Sequence, residues 1–283
     1  MAESLSETVA RALAEDVGEG DVTSLATVPE ERRARARILQ KAPGVVFGLA
    51  AVAEAMRQCG VEHVDNLVVE GQWRQEVPAE VLLASGPARG LLAAERTALN
   101  FLGHLSGVAT LAARYAEAVA GTGAQILDTR KTTPGLRSLE KAAVAAGGGR
   151  NHRLGLDDAI LIKENHIALA GNLAKAVHAA RSRYPEMAVE VECRNLDDAS
   201  YALGTGANVL LLDNMDPDQL REAVRLRDEN APAPGQGPSL EASGGVTLEA
   251  VREIAESGVD FISVGGITQS APSLDFSLLL EPA

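Results

Sequence analysis

Between Asp128 and Lys163 the chain carries seven Lys or Arg residues (Arg130, Lys131, Arg137, Lys141, Arg150, Arg153, Lys163) against four acids, a local net of +3 within a formal net charge of −13. The stretch reads ILDTRKTTPGLR from Ile126, then GGGRNHRLGLDDAILIKENH to His166. Cations gathered in a cleft with low-dielectric walls attract carboxylates and phosphates far more strongly than scattered surface charges do, so this spacing predicts a site for an anion with several negative groups. His152, between Arg150 and Arg153, has no Cys or His at ligand spacing and reads as part of that anion cluster. Lys163 admits three roles: Schiff-base nucleophile, phosphate ligand, or ion-pair partner of Glu192. Glu192 and Asp213 close two later apolar runs, and two inward carboxylates are costly there unless they meet a cation or a metal.

Positioning these groups falls to a repeated strand-then-helix grammar from Gln125 onward. The strand-like runs are QILDTRK, AILIKEN, VEVECR, NVLLLDN, SLEAS and FISVGG, with helical segments between them. Such alternation without hairpin turns implies a parallel sheet with right-handed crossovers. Polar residues at the ends of the runs favour a barrel over an open sheet, because βα barrels build their sites at the C-terminal ends of several strands. Asp128 and Arg130 should share a face, as should Glu190 and Glu192. The Gly-rich ends, Ser243 with Gly244 and Gly245, and Val264 with Gly265 and Gly266, suit a phosphate because bare backbone amides bind anions. The segment NAPAPGQGP reads as a loop extension.

Before about residue 90, short strand-like runs mix with helix, as in a small α+β layer domain. A helix follows over roughly 91–119. On it Arg96 lies in line with Leu92, Leu99 and Gly103, a cation in an otherwise apolar or small-residue stripe; by itself it reads as a snorkelling side chain. His104 reads as incidental to that helix. With 283 residues and a pI near 4.9, the chain can bury a full core and should repel nucleic acid and anionic membrane surfaces. Cys59 and Cys193 read as free thiols of a reducing compartment, and no apolar run is long enough to span a bilayer, so a cytoplasmic enzyme is expected.

The motifs DTRKTTPGLR, GGGRNHRLGLDDAILIKENH, VEVECRN, LLLDNM, LEASGGV and ISVGGITQSAPSLDFSL, with EDVGEGDVTS and ERTALNFLGHLSGVAT before them, closely resemble the quinolinate phosphoribosyltransferase family over nearly the whole chain. The resemblance implies an α/β fold, an incomplete (βα) barrel over 116–269 with a smaller N-terminal α/β sandwich domain over 1–115, joined by a tail from about 270 to 283. It implies transfer of phosphoribosyl from 5-phosphoribosyl 1-diphosphate to quinolinate with decarboxylation, giving nicotinate mononucleotide, diphosphate and CO2 in NAD biosynthesis. Mg2+ is the implied cofactor, held by Glu192 and Asp213 directly or through water. A homodimer or higher homo-oligomer is implied, with active sites between subunits and Arg96 reaching the neighbour's pocket.

Residue by residue, Arg96, Arg130, His152, Arg153 and Lys163 match positions that bind the two carboxylates of quinolinate or stabilise the site, and Lys131, beside Thr129, the junction of the two substrates. Glu192 and Asp213 match the acidic pair beside the ribose, and Ser243, Gly244, Gly245, Val264, Gly265 and Gly266 the loops around the 5-phosphate. Lys131, Lys163, Glu192 and Asp213 are the implied catalytic set. Two departures stand out: IKENH where IKDNH is frequent, and VGGITQS where VGALT is commoner, an extra glycine expected to loosen the phosphate loop. A Schiff-base lyase, a related protein of molybdenum-uptake operons and a non-catalytic anion binder are the rival readings. The first leaves the arginine cluster unexplained and the last leaves the acidic pair without purpose.

Overall fold

The computed structural model of the chain describes residues 4–231 and 236–283; the centre of the expected loop extension, 232–235, lies outside them. In chain order the elements are α1 (Leu5–Val17), α2 (Val22–Thr27), β1 (Arg33–Gln40), β2 (Gly44–Val45), α3 (Leu49–Gln58), β3 (His63–Asn66), β4 (Trp73–Arg74), β5 (Ala79–Pro87) and α4 (Ala88–Ala118). The strand–helix series follows as β6 (Gln125–Leu127), α5 (Arg137–Ala146), β7 (Ile160–Ile162), α6 (Glu164–Ala170), α7 (Leu173–Arg183), β8 (Val189–Cys193), α8 (Leu196–Leu203), β9 (Val209–Asp213) and α9 (Pro217–Asn230). It closes with β10 (Ser239–Ser243), α10 (Val251–Glu256), β11 (Phe261–Ser263), α11 (Gly266–Gln269) and β12 (Phe276–Pro282). Among the described residues, no helix is long and apolar enough to cross a membrane.

Two compact units divide the chain. One takes residues up to Ala113, Thr132–Gly148 and Ile267–Ala283; the other takes Arg114–Lys131 and Gly149–Gly266. The excursion Thr132–Gly148, which strand–helix alternation groups with the barrel, packs in the first unit.

The first unit is built on an antiparallel sheet of order β12-β1-β5-β3. Along β1 the sequence RARARILQ alternates strictly, so Ala34, Ala36 and Ile38 are buried while the arginines face out. Arg37 then bridges both neighbouring strands through Glu80 (3.0 Å) and Glu281 (2.8 Å). Helix α3 covers the core with Leu49, Val52, Ala55 and Met56. Small residues on α4 admit close backbone: Leu274 N–H donates to the Gly103 carbonyl (2.9 Å), and a Cβ at Gly107 would collide with the Pro272 carbonyl oxygen. The fully buried Glu140 of α5 accepts from His104 Nε2 (2.7 Å) and from Thr133 N–H (3.1 Å). His104 is therefore no incidental helix residue: it satisfies a carboxylate that burial would otherwise penalise heavily.

The second unit is a parallel sheet of order β6-β11-β10-β9-β8-β7 with helices over its outer face. Val189, Val191, Leu210, Leu212, Leu240 and Ile262 are buried in it. The last strand, β11, pairs with the first, β6, and Arg150 adds a single bridge to Leu127 on the other side of β6. No strand pairing joins that side to β7 among the described residues, so the barrel is incomplete, as expected.

Candidate active site

At the C-terminal ends of these strands lies a cavity of about 220 Å3. Thr129, Arg130, Lys131, His152, Arg153, Lys163, Glu192, Asp213 and Ser243, all singled out in the sequence, line it. So do Leu161, Leu211, Glu241 and Ser263, which sequence reasoning missed. Strand pairing explains the convergence: Glu192 lies beside Leu211, Leu211 beside Glu241, and Asp213 beside Ser243. The signal for Glu241 was available, since it stands two residues before Ser243 and therefore shares its face.

Only part of the basic island reaches the cavity. Arg130, Lys131, Arg153 and Lys163 do; Lys141 is buried in α5, Arg137 Nε donates to Thr132 Oγ1 (2.9 Å), and Arg150 is exposed outside the lining. The helix between Thr132 and Gly148 carries two of the seven cations into the other unit.

Strand β6 ends at Leu127, so alternation stops before Asp128 and Arg130. Asp128 turns inward, fully buried, and accepts the His152 backbone N–H at Oδ1 (2.8 Å). His152 Nδ1 accepts the Arg153 backbone N–H (2.8 Å), and its Nε2 faces Glu190 Oε2 (2.9 Å) with Glu241 Oε2 at 3.7 Å. Ligand atoms of His152, Glu190 and Glu241 lie within 4.8 Å of one another, a spacing that a metal ion would take. The Arg153 N–H argues against one: a metal on Nε2 leaves the ring proton on Nδ1, where it would meet that donor. The cluster is held by hydrogen bonds, with the ring proton on Nε2.

Electrostatics around the cavity are unusual. Glu190 and Glu241 are buried, and one oxygen of each, Oε1, has no hydrogen-bond partner. Burial, and then the charge of Glu190, pushes the Glu241 carboxyl up to about 7, against the pull of His152 and Ser263. Burial and the charge of Arg130 lower the Arg153 guanidinium from its usual value, with Glu190 and Asp158 opposing. An arginine held in that condition gains from any arriving anion.

Lys163 precedes α6, and its ammonium is paired with the Glu192 carboxylate; its N–H donates to His166 Nδ1 (3.0 Å). Of its three open roles, the ion pair is the one realised here, and an engaged ammonium is no free Schiff-base nucleophile. The Asp213 side chain makes no hydrogen bond or ion pair among the described residues. Thr129 Oγ1 accepts from Lys131 N–H (3.1 Å), and Gly265 lets the Lys131 stem lie close, since a Cβ there would sit 3.1 Å from Lys131 Cδ. In the IKENH departure, the longer Glu164 reaches Arg194 on the surface.

Gly244, Gly245, Val264, Gly265 and Gly266 adjoin the cavity residues in sequence but do not line it. Gly244 is left-handed at φ +98°, and a Cβ there would overlap the Asn214 side chain, so glycine is required. Gly245 (φ +57°) meets nothing within 4 Å. The Val264 side chain is buried and its N–H is committed to the Leu127 carbonyl (2.9 Å). Gly266 opens the four-residue α11. Arg96 stands on α4 in the first unit, exposed, its side chain without a hydrogen bond or ion pair among the described residues.

Comparison with known proteins identifies the family. Models of the quinolinate phosphoribosyl transferase C-terminal and N-terminal domains match residues 108–279 and 21–106. The nicotinate-nucleotide pyrophosphorylase [carboxylating] of Mycobacterium leprae is 42% identical over 275 residues, covering 96% of this chain and 95% of that one. A probable nicotinate-nucleotide pyrophosphorylase [carboxylating] of Bacillus subtilis is 39% identical, covering 93% and 89%. The structure of the nicotinate-nucleotide pyrophosphorylase from Francisella tularensis superposes with a TM-score of 0.91 at 36% identity, covering 98% of this chain and 96% of that one. With both domain models matched and relatives of this identity over nearly full length, the chain belongs to the quinolinate phosphoribosyltransferase family.

Proposed function

We propose that the barrel cavity is where this chain carries out its reaction. The chain transfers phosphoribosyl from 5-phosphoribosyl 1-diphosphate to quinolinate with decarboxylation, a pentosyl transfer of NAD biosynthesis. The observation that carries the assignment to this cavity is the pairing, within one small space, of four cations with Glu192 and Asp213. A pure anion binder gains nothing from the acidic pair.

In this reading Arg130, Arg153 and Lys163 hold the two carboxylates of quinolinate, so that the pyridine nitrogen faces the sugar carbon. Lys131 lies where the substrates meet and supports the departing diphosphate. As the bond to diphosphate breaks, positive charge grows on the sugar; Glu192 and Asp213 face it and orient the ribose hydroxyls. The nitrogen lone pair forms the new bond and the nitrogen becomes cationic. The bond from C2 to its carboxylate then breaks, its electron pair staying on C2 beside the cationic nitrogen, and C2 takes a proton as CO2 leaves. The nucleophilic nitrogen carries no proton at neutral pH, so its attack needs no general base. Ser243 and the glycine turns after β10 and β11 take the 5-phosphate.

Glu192 and Asp213 also fit Mg2+: both are hard oxygen donors, and Mg2+ is characteristically held by one or two carboxylates plus substrate phosphates. Bound there, Mg2+ would offset the charge on the diphosphate. The working form is a homodimer or higher oligomer in the cytoplasm, with the exposed Arg96 completing the pocket of a neighbouring subunit.

Mass-spectrometric detection of nicotinate mononucleotide from quinolinate, phosphoribosyl diphosphate and Mg2+, beside a parallel reaction with nicotinic acid, tests the reading. Product from quinolinate alone is expected. Failure of a folded, oligomeric sample to make product would overturn it.

A further inference from the structure

Two acids at the cavity remain without a role, Glu241 on its lining and Glu190 beside it. Glu190 and Glu241 stand two residues before Glu192 and Ser243 on the same inward face of β8 and β10, and both are more than nine-tenths buried. Buried carboxyls are expensive, and each here leaves one oxygen without a partner. A barrel floor of Leu or Val would avoid that cost, so the pair calls for a function.

We propose that Glu190 is a positioning residue that locks His152 in its Nε2–H form and, through the ring, fixes the backbone of Arg153 so that its guanidinium meets the quinolinate carboxylate. The chain of contacts is continuous: Glu190 Oε2 accepts from His152 Nε2 (2.9 Å), and His152 Nδ1 accepts from Arg153 N–H (2.8 Å). Each contact demands the other. Nδ1 can accept only if the ring proton sits on Nε2, and a buried Nε2–H requires an acceptor, which Glu190 supplies. Asp128 holds the other end of the segment through the His152 N–H (2.8 Å). Glu241, 3.7 Å from Nε2, is too far to share that proton and stands beside the ring on the cavity lining.

One consequence separates this arrangement from direct ligation. Both ring nitrogens of His152 are spent on the protein, so the charge that meets the substrate carboxylates comes from Arg130, Arg153 and Lys163, not from an imidazolium. This rests on the cavity being the quinolinate pocket, but the state of the ring does not, and the experiment reads the two separately.

The test is nitrogen NMR of the full-length protein with 15N-labelled imidazoles, His152 being assigned among the five histidines by His152→Asn. In the substrate-free protein at neutral pH, Nε2 should be protonated and Nδ1 not; Glu190→Ala should abolish that fixed form. In kinetics, Glu190→Ala should raise KM for quinolinate roughly 10- to 100-fold, the range usual for losing an outer partner that orients a ligand-holding group, with KM for phosphoribosyl diphosphate unchanged. Glu190→Gln, which keeps an acceptor oxygen for Nε2–H, should restore KM to within about threefold of wild type. A doubly protonated or Nδ1–H ring in the wild-type protein overturns the proposal even if Glu190→Ala does not fold. So does a folded Glu190→Ala protein with wild-type KM for quinolinate. Loss of all product in the wild-type protein would instead strike the assignment of the cavity and leave the ring measurement standing.

Discussion

Asp128 Oδ1 accepts the backbone N–H of His152 at 2.8 Å, joining the end of β6 to the arginine-bearing segment beside it from a fully buried position. Removing the carboxylate leaves that N–H without a partner in the interior. Asp128→Ala should therefore cost about 2–4 kcal/mol of stability, the scale of a lost charge-assisted bond plus an orphaned donor. Urea unfolding with unchanged slope and a lowered midpoint is the expected record. A midpoint equal to wild type would show that the bond contributes nothing.

The strands were legible because their apolar runs are short, evenly spaced and closed by polar residues; β10 keeps every residue of SLEAS and β8 all of VEVECR but Arg194. The extent of β6 and β7 was not. Alternation continues on paper through Asp128 and Arg130, yet pairing stops at Leu127, where the chain turns to place Asp128 inward. The helix between Thr132 and Gly148 looked like the first crossover, and nothing in its 3.6-residue period says which unit its apolar face will join. Most of the cavity lining could be named because cations and acids at strand ends are conspicuous. Glu241 escaped because the same face rule that paired Glu190 with Glu192 was not carried to SLEAS. The glycine turns expected to hold a phosphate are set by backbone geometry, as the left-handed Gly244 against Asn214 shows, and their types alone do not reveal which amides are already taken.

Glu241 makes stability depend on pH in an unusual direction. Its carboxyl, raised to about 7, keeps its proton in the folded state where the unfolded chain, near 4.5, has already lost it. Between those values the folded state binds more protons, so this group's contribution falls as pH rises from about 4.5 through 7. Glu241→Gln removes the penalty. Relative to wild type, it should gain on the order of 2–3 kcal/mol on going from pH 5 to pH 8, from the size of the shift. His152 and Glu190 face the same group, so the comparison is made at matched ionic strength. A stability difference independent of pH would show that Glu241 ionises normally.

Gly107 on α4 tests the close backbone crossing in the first unit. Alanine would favour the helix by about 1 kcal/mol, but its Cβ would collide with the Pro272 carbonyl oxygen, a backbone atom that cannot rotate away. The clash should win, with a net loss of about 1–3 kcal/mol, as for other overpacked sites. Gly245→Ala is the control for a glycine with open space around it, although its φ of +57° carries a smaller cost of its own. Equal stability of Gly107→Ala and wild type in chemical denaturation would disprove the crossing.

Lys163 and Glu192 should behave as a unit. Their side chains are paired at the cavity, so removing either leaves the other charge unbalanced in the proposed substrate pocket. Lys163→Ala and Glu192→Gln should each lower kcat/KM by roughly 100- to 1,000-fold, comparable to losing one preorganised electrostatic contact. The double variant should fall much less than the product of the two losses, because each single change already breaks the pair. Strict multiplicativity would mean that the two residues serve the reaction independently.

Arg96 tests whether sites are shared between subunits. It is exposed on α4 and has no partner among the described residues, an arrangement that leaves its charge available to another molecule. If it completes a neighbour's pocket, Arg96→Ala and Lys163→Ala proteins are each inactive for a different reason. In a mixed dimer one site carries both defects and the other carries neither. Random exchange at equal concentrations makes half of the dimers mixed and so restores about a quarter of the wild-type sites in a symmetric dimer. Activity should rise to about that fraction after unfolding and refolding the two proteins together, and stay at the floor when they are mixed without exchange. No recovery in samples whose mixed dimers are verified by mass spectrometry would place Arg96 outside the shared pocket, and its exposure on α4 would then need no partner to explain it.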